Sequence, residues 1–197
     1  AYTPNQGDAW THAVETLARH LEACRSLPDD DAAPGIHGFL ALLDTLGRRT
    51  AQLHAALSLR TGDAAFDPEP VFETDIAEWV RKVRGDALAT LELLAARAEQ
   101  LPAGLQERAR QLMVARPRLL KRLERVAGVP PAGFRTRLHG DYRLGKVLLA
   151  NNDFVLIDFE GDPDRPLEER RRKQLAVRDV AGMLRSFDQA RDEALRQ

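Results

Sequence analysis

Two aspartates, Asp141 and Asp158, lie in a segment whose residue types and spacing suit phosphoryl transfer. The segment, residues 139–161, reads HGDYRLGKVLLANNDFVLIDFEG. Its two apolar runs are separated by Asn151 and Asn152, which tolerate the positive φ of a tight reversal, so a β-hairpin is predicted that folds Asp158 back toward Asp141. Phosphoryl transfer needs one carboxylate to orient the attacking hydroxyl group and accept its proton, and another to hold the Mg²⁺ on the phosphates. The two aspartates supply both.

Each short motif is weak evidence when it stands alone, because Gly-Asp is a common turn and a surface aspartate is usually solvated. Their occurrence together, with a strand–turn–strand pattern between them, favours the functional interpretation. Protein kinases have H-R-D-x-x-x-x-N followed by D-F-G, and this sequence has H-G-D-x-x-x-x-K followed by D-F-E-G. By that resemblance Asp141 is the base or hydroxyl-positioning residue, Asp158 is the metal ligand, and His139 orients the loop.

Four segments carry a wider resemblance: PNQGDAW at 4–10, LGRRTAQLH at 46–54, HGDYRLGKVLL at 139–149 and IDFEGDPDRPLEERRRKQLAVRDVAGMLRSF at 157–187. Through them the chain resembles the aminoglycoside phosphotransferase and choline kinase superfamily, and more narrowly the bacterial maltokinases, including those fused to trehalose synthase. The resemblance implies phosphorylation of maltose at its anomeric hydroxyl group by ATP with Mg²⁺, giving maltose 1-phosphate for α-glucan synthesis. A phosphotransferase acting on another small hydroxyl substrate is an alternative.

The resemblance also implies roles for charged residues around the two aspartates. Glu160, at the same strand end as Asp158, could assist the metal shell or the substrate. Arg178 and Asp179 could support the catalytic loop through a charge-assisted pair, although an acidic residue in the first helical turn is as often ordinary capping. Arg172, in the charged run 169–174, could contact phosphate or sugar hydroxyl groups. A solvated charged surface is the equal alternative for that run.

Two positions depart from the family pattern. The family has a carboxamide five residues after the catalytic aspartate, where its oxygen helps to coordinate metal, and this chain has Lys146. An ammonium group cannot ligate Mg²⁺ and would repel it. Arg143 stands where maltokinases commonly have histidine. Two outcomes stay open: the ammonium group contacts Asp158 or phosphate in place of one metal ion, or the protein is catalytically weakened.

Helices are predicted over most of the first two thirds, because apolar residues recur at three-to-four spacing. The first begins near Trp10, and its apolar stripe ends at Cys24, which we expect to be buried. It is closed by Leu27-Pro28. A second helix follows Pro34-Gly35 and ends near residues 61–62.

Two further helical stretches follow. One runs from about 74 to 100, with Thr74 or Asp75 near its N-cap and Trp79 facing inward. The next covers 105–126 as a helical pair interrupted before Pro117. On the second helix of the chain, His54 is interpreted as a packing histidine rather than a ligand.

After residue 130 the period of the apolar residues shortens. TRLHGD is predicted to form a strand with its loop, KVLLA and DFVLIDF the hairpin, and the residues from 174 onward a last helix. The fold class expected is α+β, mostly helical: the C-terminal lobe of a protein-kinase-like fold with a small β-hairpin at the catalytic loop. Residues 1–130 form its helical part, 131–161 the catalytic loop and hairpin, and 162–197 a basic loop and helix.

Nothing upstream resembles a Gly-rich phosphate loop or the lysine-bearing strand of an N-terminal lobe. We therefore expect a partial chain whose N-lobe belongs to the same polypeptide, and an isolated fragment that is inactive because ATP is normally clamped between lobes. The implied partners are maltose, ATP, the N-lobe and a trehalose synthase domain. The alternative of a different class is a non-catalytic kinase-like module that scaffolds a trehalose synthase.

Bulk composition is ordinary for a soluble globular protein, with 44% hydrophobic and 30% charged residues. The formal net charge of -1 provides no general basic field of the kind that nucleic-acid or anionic-membrane binding needs. A single cysteine excludes an internal disulfide framework, and no apolar run approaches the roughly 20 residues of a membrane span. These features favour the cytoplasm, with neither nucleic acid nor membrane as a partner.

Overall fold

The computed structural model describes residues 3–26 and 36–197 and has the mostly helical α+β fold expected from the sequence. The chain divides into two compact units. Unit 1 comprises Ala1–Glu69 with Phe134–Gln197, and unit 2 comprises Pro70–Gly133. In chain order the elements are α1 (Ala9–Ser26), α2 (Ile36–Leu57), β1 (Glu69–Pro70), α3 (Glu73–Arg97), α4 (Ala103–Ala127), β2 (Phe134–Thr136), β3 (Val147–Ala150), β4 (Asp153–Leu156), α5 (Leu167–Arg170), β5 (Gln174–Leu175) and α6 (Val177–Ala194).

Small residues let α1 and α6 pack against each other in the core of unit 1. Ala9 and Ala13 on α1, and Ala190 and Ala194 on α6, are buried at four-residue spacing, which places each pair on one helix face. The same core contains apolar residues of α2, the loop between β2 and β3, the hairpin and α6: Phe39, Leu46, Tyr142, Leu144, Val147, Leu149, Phe154 and Met183.

The end of α1 differs from the prediction. The expected burial of Cys24 is wrong, since its side chain is exposed and its Sγ lies 3.6 Å from Nε2 of His20. Among the described residues, the buried side chains of α1 lie in its first half, between Ala9 and Thr16. The predicted stop at Leu27-Pro28 and the predicted restart after Pro34-Gly35 lie outside the described residues.

The second helix, α2, ends at Leu57, a turn earlier than predicted. The Asp67 carboxylate accepts hydrogen bonds from the backbone N–H groups of Thr61 and Gly62. Residues 61–62 therefore fold into the loop that follows rather than continuing the helix.

The predicted hairpin is confirmed. β3 and β4 pair antiparallel, with Val147 opposite Leu156 and Ala150 opposite Asp153. Asn151 and Asn152 between them have φ of 53° and 58°, which is the geometry of a tight two-residue reversal. The strand predicted in TRLHGD is shifted, because β2 ends at Thr136. β2 lies between β1 and β5 in a three-stranded sheet. The sequence did not predict β1 and β5, which have two residues each.

Unit 2 is a pair of long helices, α3 and α4, that pack on each other. The prediction that Thr74 or Asp75 lies near the N-cap of α3 is confirmed, since the N-cap is Phe72 and the Asp75 carboxylate accepts the Phe72 N–H at 2.9 Å. Trp79 is 42% exposed, so its predicted inward position is wrong. The buried residue is its neighbour Val80, about 100° away around the helix.

The predicted interruption before Pro117 is also wrong, because α4 continues through it as one helix. A proline removes only its own backbone donor, and the hydrogen bonds on either side can continue the helix. Among the residues the structure describes, no helix combines the length and apolar character needed to cross a membrane.

Candidate active site

The loop between β2 and β3 is held in place by His139, which is fully buried. Its Nε2–H donates to the carbonyl oxygen of Ile157 at 2.8 Å, and its Nδ1 accepts the backbone N–H of Asp141 at 3.4 Å. The first bond fixes the tautomer, because a carbonyl oxygen can only accept. One buried ring therefore ties the H-G-D loop to the segment just before Asp158.

Asp179, at the start of α6, binds the same loop from the other side. Its carboxylate accepts the N–H groups of His139 and Gly140, both at 3.0 Å, and Nε2–H of His54 at 3.1 Å. Burial alone would raise the pKa of Asp179, but the hydrogen bonds from His54, Gly140 and His139 hold that pKa below its ordinary value. The loop is therefore anchored to a buried, ionised carboxylate.

Two glycines allow the H-G-D loop and the D-F-E-G segment to approach each other. Gly140 and Gly161 both have positive φ, 83° and 77°. A Cβ atom on Gly140 would lie 3.1 Å from the Cα of Gly161. The close contact between these backbones fixes the distance between the two halves of the site.

Residues 142–144 are fixed by α2 and α6. The Thr50 hydroxyl donates its one hydrogen to the carbonyl oxygen of Leu46. The buried Tyr142 hydroxyl must therefore be the donor in its 2.7 Å hydrogen bond with the Thr50 hydroxyl. Burial raises the pKa of Tyr142. The Leu144 N–H donates to the buried Ser186 hydroxyl at 3.1 Å.

Four charged side chains lie together on this framework. The Nε–H of Arg143 donates to both carboxylate oxygens of Asp141, at 3.1 and 3.2 Å. The ammonium group of Lys146 donates to Oδ2 of Asp158 at 2.6 Å. The hydrogen bond to Asp158, with the nearby negative charges of Asp158 and Asp141, raises the pKa of Lys146. The structure thus brings together Asp141, Arg143, Lys146 and Asp158.

Asp158 has a backbone conformation that side-chain-bearing residues rarely adopt, with φ of 62°. It directly follows Ile157, whose N–H donates to the carbonyl oxygen of Lys146 at 3.0 Å and so extends the hairpin pairing by one step. Such backbone strain is retained where surrounding contacts enforce it, and it concentrates at functional sites.

The remaining residues singled out from the sequence lie beside this cluster. Glu160 is exposed, and its carbonyl oxygen accepts a hydrogen bond from Arg170 at 3.3 Å. Arg172 and Arg178 line a small cavity next to Gly140 and Gly161. Burial, followed by the charge of a neighbouring arginine, lowers the pKa of Arg178.

The family model described as "Phosphotransferase enzyme family" matches residues 40–197 of this sequence. The chain belongs to this family. The match includes the H-G-D loop, the hairpin, the D-F-E-G segment and α6, which are the elements that build the cluster.

Known phosphotransferases similar to this chain include two glucosamine kinases. One, from Streptacidiphilus jiangxiensis, is 29% identical over 188 residues, which cover 95% of this chain and 37% of that protein. Another, from Mycolicibacterium smegmatis, is 32% identical over 190 residues, covering 94% and 40%. A solved structure of a glucosamine kinase in complex with glucosamine, ADP and inorganic phosphate has a TM-score of 0.69 at 28% identity, covering 100% of this chain and 41% of that one. The chain spans about two fifths of the length of these relatives.

The magnesium site expected of a phosphotransferase does not fit the side chains present. Within residues 3–26 and 36–197, no group of three or more acidic, histidine or cysteine side chains is arranged to hold a metal ion. Oδ2 of Asp158 is engaged by an ammonium group, and Asp141 by a guanidinium group. Mg²⁺ at a phosphate site is bound by one or two carboxylates together with waters and substrate phosphates, and here an ammonium group lies at the carboxylate oxygen that would ligate it.

Sequence reasoning missed Thr50, Tyr142 and Ser186 as supports of the phosphotransferase loop. It interpreted His54 as a packing histidine, and His54 does bind a buried carboxylate rather than standing in a metal cluster. A signal was present, because Thr50 and His54 are four residues apart in α2 and so face the same way. Both belong to the LGRRTAQLH segment.

Proposed function

We propose that this chain carries the catalytic loop of an ATP-dependent kinase that phosphorylates a hydroxyl group of a small sugar. The observation that carries the proposal is that Asp141 pairs with Arg143 and Asp158 with Lys146, next to a loop fixed by His139 and Asp179. A rigid pair of carboxylates beside fixed positive charges suits a reaction in which positioning and charge stabilisation do most of the catalysis.

In the proposed reaction, the acceptor hydroxyl group hydrogen-bonds to Asp141. Its oxygen attacks the γ-phosphorus of ATP, the bond from that phosphorus to the β–γ bridging oxygen breaks, and ADP leaves. The hydroxyl proton passes to the Asp141 carboxylate. The two bonds from Arg143 leave room for this hydroxyl group, because an ionised carboxylate has about four acceptor positions.

A cavity of about 500 Å³ in unit 1 supports a sugar as the acceptor. It opens beside Arg143, which contacts Asp141. An aromatic ring among polar side chains suits a ligand with an apolar face and hydroxyl groups, and the carboxylates offer acceptors for an amino group. The lining side chains are Trp10, Gln189, the acidic Asp8, Asp192 and Glu193, and the basic Arg143 and Arg196. We therefore propose an amino sugar of the glucosamine type, in agreement with the names of the relatives.

Maltose is the second candidate acceptor. It is favoured by the resemblance of residues 157–187 to the maltokinases, which includes the D-F-E-G segment and most of α6. The bound sugar in the similar solved structure is glucosamine, so the two candidates must be separated by experiment.

The test is sugar-dependent release of ADP from ATP by the longest natural polypeptide that contains this chain. We expect kcat/KM for glucosamine to exceed that for glucose by about tenfold or more, since one charge-assisted hydrogen bond contributes about 1.5–3 kcal/mol. A preference for maltose over both would replace the amino-sugar assignment. No turnover with any of the three sugars by folded protein would favour a non-catalytic module.

A further inference from the structure

We propose that Lys146 is an internal cation: its ammonium group takes the place at Asp158 that a divalent metal ion would occupy. The positive charge that compensates Asp158 then comes from the chain itself. The proposal rests on the proposed function only for the identity of the phosphate donor, because cation binding can be measured without ATP or sugar.

The first support is the contact between the two groups. Nζ of Lys146 lies 2.6 Å from Oδ2 of Asp158, and the Lys146 side chain is only 19% exposed. An ammonium group donates hydrogen bonds and has no lone pair, so Lys146 cannot itself coordinate a metal ion bound to Asp158. A divalent ion at this oxygen would have to displace Lys146 or lie beside a like charge.

The second support is that the Lys146 backbone is fixed at both ends of its peptide. Its N–H donates to the carbonyl oxygen of Arg143 at 2.8 Å, and its carbonyl oxygen accepts the N–H of Ile157 at 3.0 Å. Asp158 is the next residue after Ile157. The backbone therefore holds the lysine and the aspartate at adjacent positions, and the ion pair does not depend on a chance side-chain orientation.

The third support is the balance of charge around the two carboxylates. Arg143 donates to both carboxylate oxygens of Asp141, and Lys146 donates to Oδ2 of Asp158. The four side chains sum to zero formal charge, so they lack the excess negative charge that attracts divalent ions to carboxylate sites.

The test measures the binding of Mn²⁺ to the 197-residue chain at pH 7 by electron paramagnetic resonance. We expect no site in the wild-type chain tighter than about 1 mM. Lys146→Gln removes the charge and supplies an amide oxygen, so it should create a site at least about tenfold tighter. The double variant Lys146→Gln/Asp158→Asn should lose that site, which locates it at Asp158.

The matched control is Lys173→Gln. Lys173 also pairs with a carboxylate in unit 1, that of Glu69, at 2.7 Å. This variant loses the same single charge and should leave Mn²⁺ binding at the wild-type level.

Three outcomes would overturn the proposal. One is a sub-millimolar wild-type site that Asp158→Asn removes, a result that does not depend on the folding of any lysine variant. Another is no gain in folded Lys146→Gln, with folding checked by circular dichroism. The last is an equal gain in Lys173→Gln, which would make the effect one of overall charge.

Discussion

Asp179 shows how a single buried carboxylate can fix the conformation of the H-G-D loop. It accepts two loop N–H groups and one imidazole N–H, and its side chain is 1% exposed. A buried charge is stabilising only when its hydrogen-bonding capacity is met, and here three donors meet it. The conformation of the H-G-D loop therefore depends on the ionised form of Asp179.

We predict that Asp179→Asn lowers the free energy of unfolding by about 1–3 kcal/mol at pH 7, because an amide cannot satisfy the same donors with two oxygens. The folded-state pKa of Asp179 lies below its unfolded value, so its stabilisation is complete above about pH 4 and declines as the pH falls toward the folded pKa. The difference in stability between wild type and variant should therefore shrink as the pH falls below about 4 in urea denaturation.

The control for this prediction is Asp188→Asn, on the same helix. Asp188 is exposed and forms an i,i+3 pair with Arg191, and such pairs contribute about 0–1 kcal/mol. If Asp188→Asn lowered the free energy of unfolding as much as Asp179→Asn does, the special role of the buried carboxylate would be contradicted.

At the scale of elements, α6 packs closely against the H-G-D loop at Gly182, where there is no room for a side chain. A Cβ atom on Gly182 would lie 2.9 Å from the carbonyl oxygen of Tyr142, a backbone atom that cannot rotate away. Ser186 and Asp179 of the same helix bind this loop through hydrogen bonds. The loop could make room for a side chain at position 182 only if the residues next to Asp141 moved.

We predict that Gly182→Ala destabilises unit 1 by about 1–3 kcal/mol, as overpacking does. Helix propensity alone would predict the opposite sign, a gain of about 0.5–1 kcal/mol for glycine to alanine. Gly47→Ala, inside α2, should show that gain, because among the described residues no atom beyond its chain neighbours and the local helix backbone lies within 4 Å of its Cβ position. Thermal unfolding of both variants checks the signs, and stabilisation by Gly182→Ala would contradict the close packing of α6.

The elements that sequence could predict are those specified by local pattern. The hairpin followed from two apolar runs around Asn151 and Asn152, and the long helices from apolar periodicity. The two-residue strands β1 and β5 could not be found, because their pairing with β2 depends on residues far apart in the chain. The interruption predicted before Pro117 is wrong, because α4 continues on both sides of this proline despite its low helix propensity.

For the candidate site, sequence gave the residues but not their partners. The proximity of Asp141 and Asp158 was inferred from spacing, and the ion pair of Lys146 with Asp158 was one of two alternatives left open. The supports from Thr50 and Ser186 could not be predicted, because they come from helices that are distant in sequence.

At the scale of the whole molecule, everything proposed for catalysis lies in unit 1, while unit 2 consists of α3 and α4. The family match covers residues 40–197, whereas the chain spans about two fifths of its glucosamine kinase relatives. The requirement for an N-lobe of the same polypeptide stays a prediction, as do the association with trehalose synthase and the cytoplasmic location.

The most direct test of the central claim is sugar-dependent ADP release by Asp141→Asn in the longest natural polypeptide that contains this chain. Asparagine keeps the shape of the side chain but cannot accept the hydroxyl proton, so we predict a fall in kcat of about 10²-fold or more. Asp164→Asn, in the exposed loop after D-F-E-G, serves as the control and should retain activity. Activity of folded Asp141→Asn within about threefold of wild type would contradict the assignment.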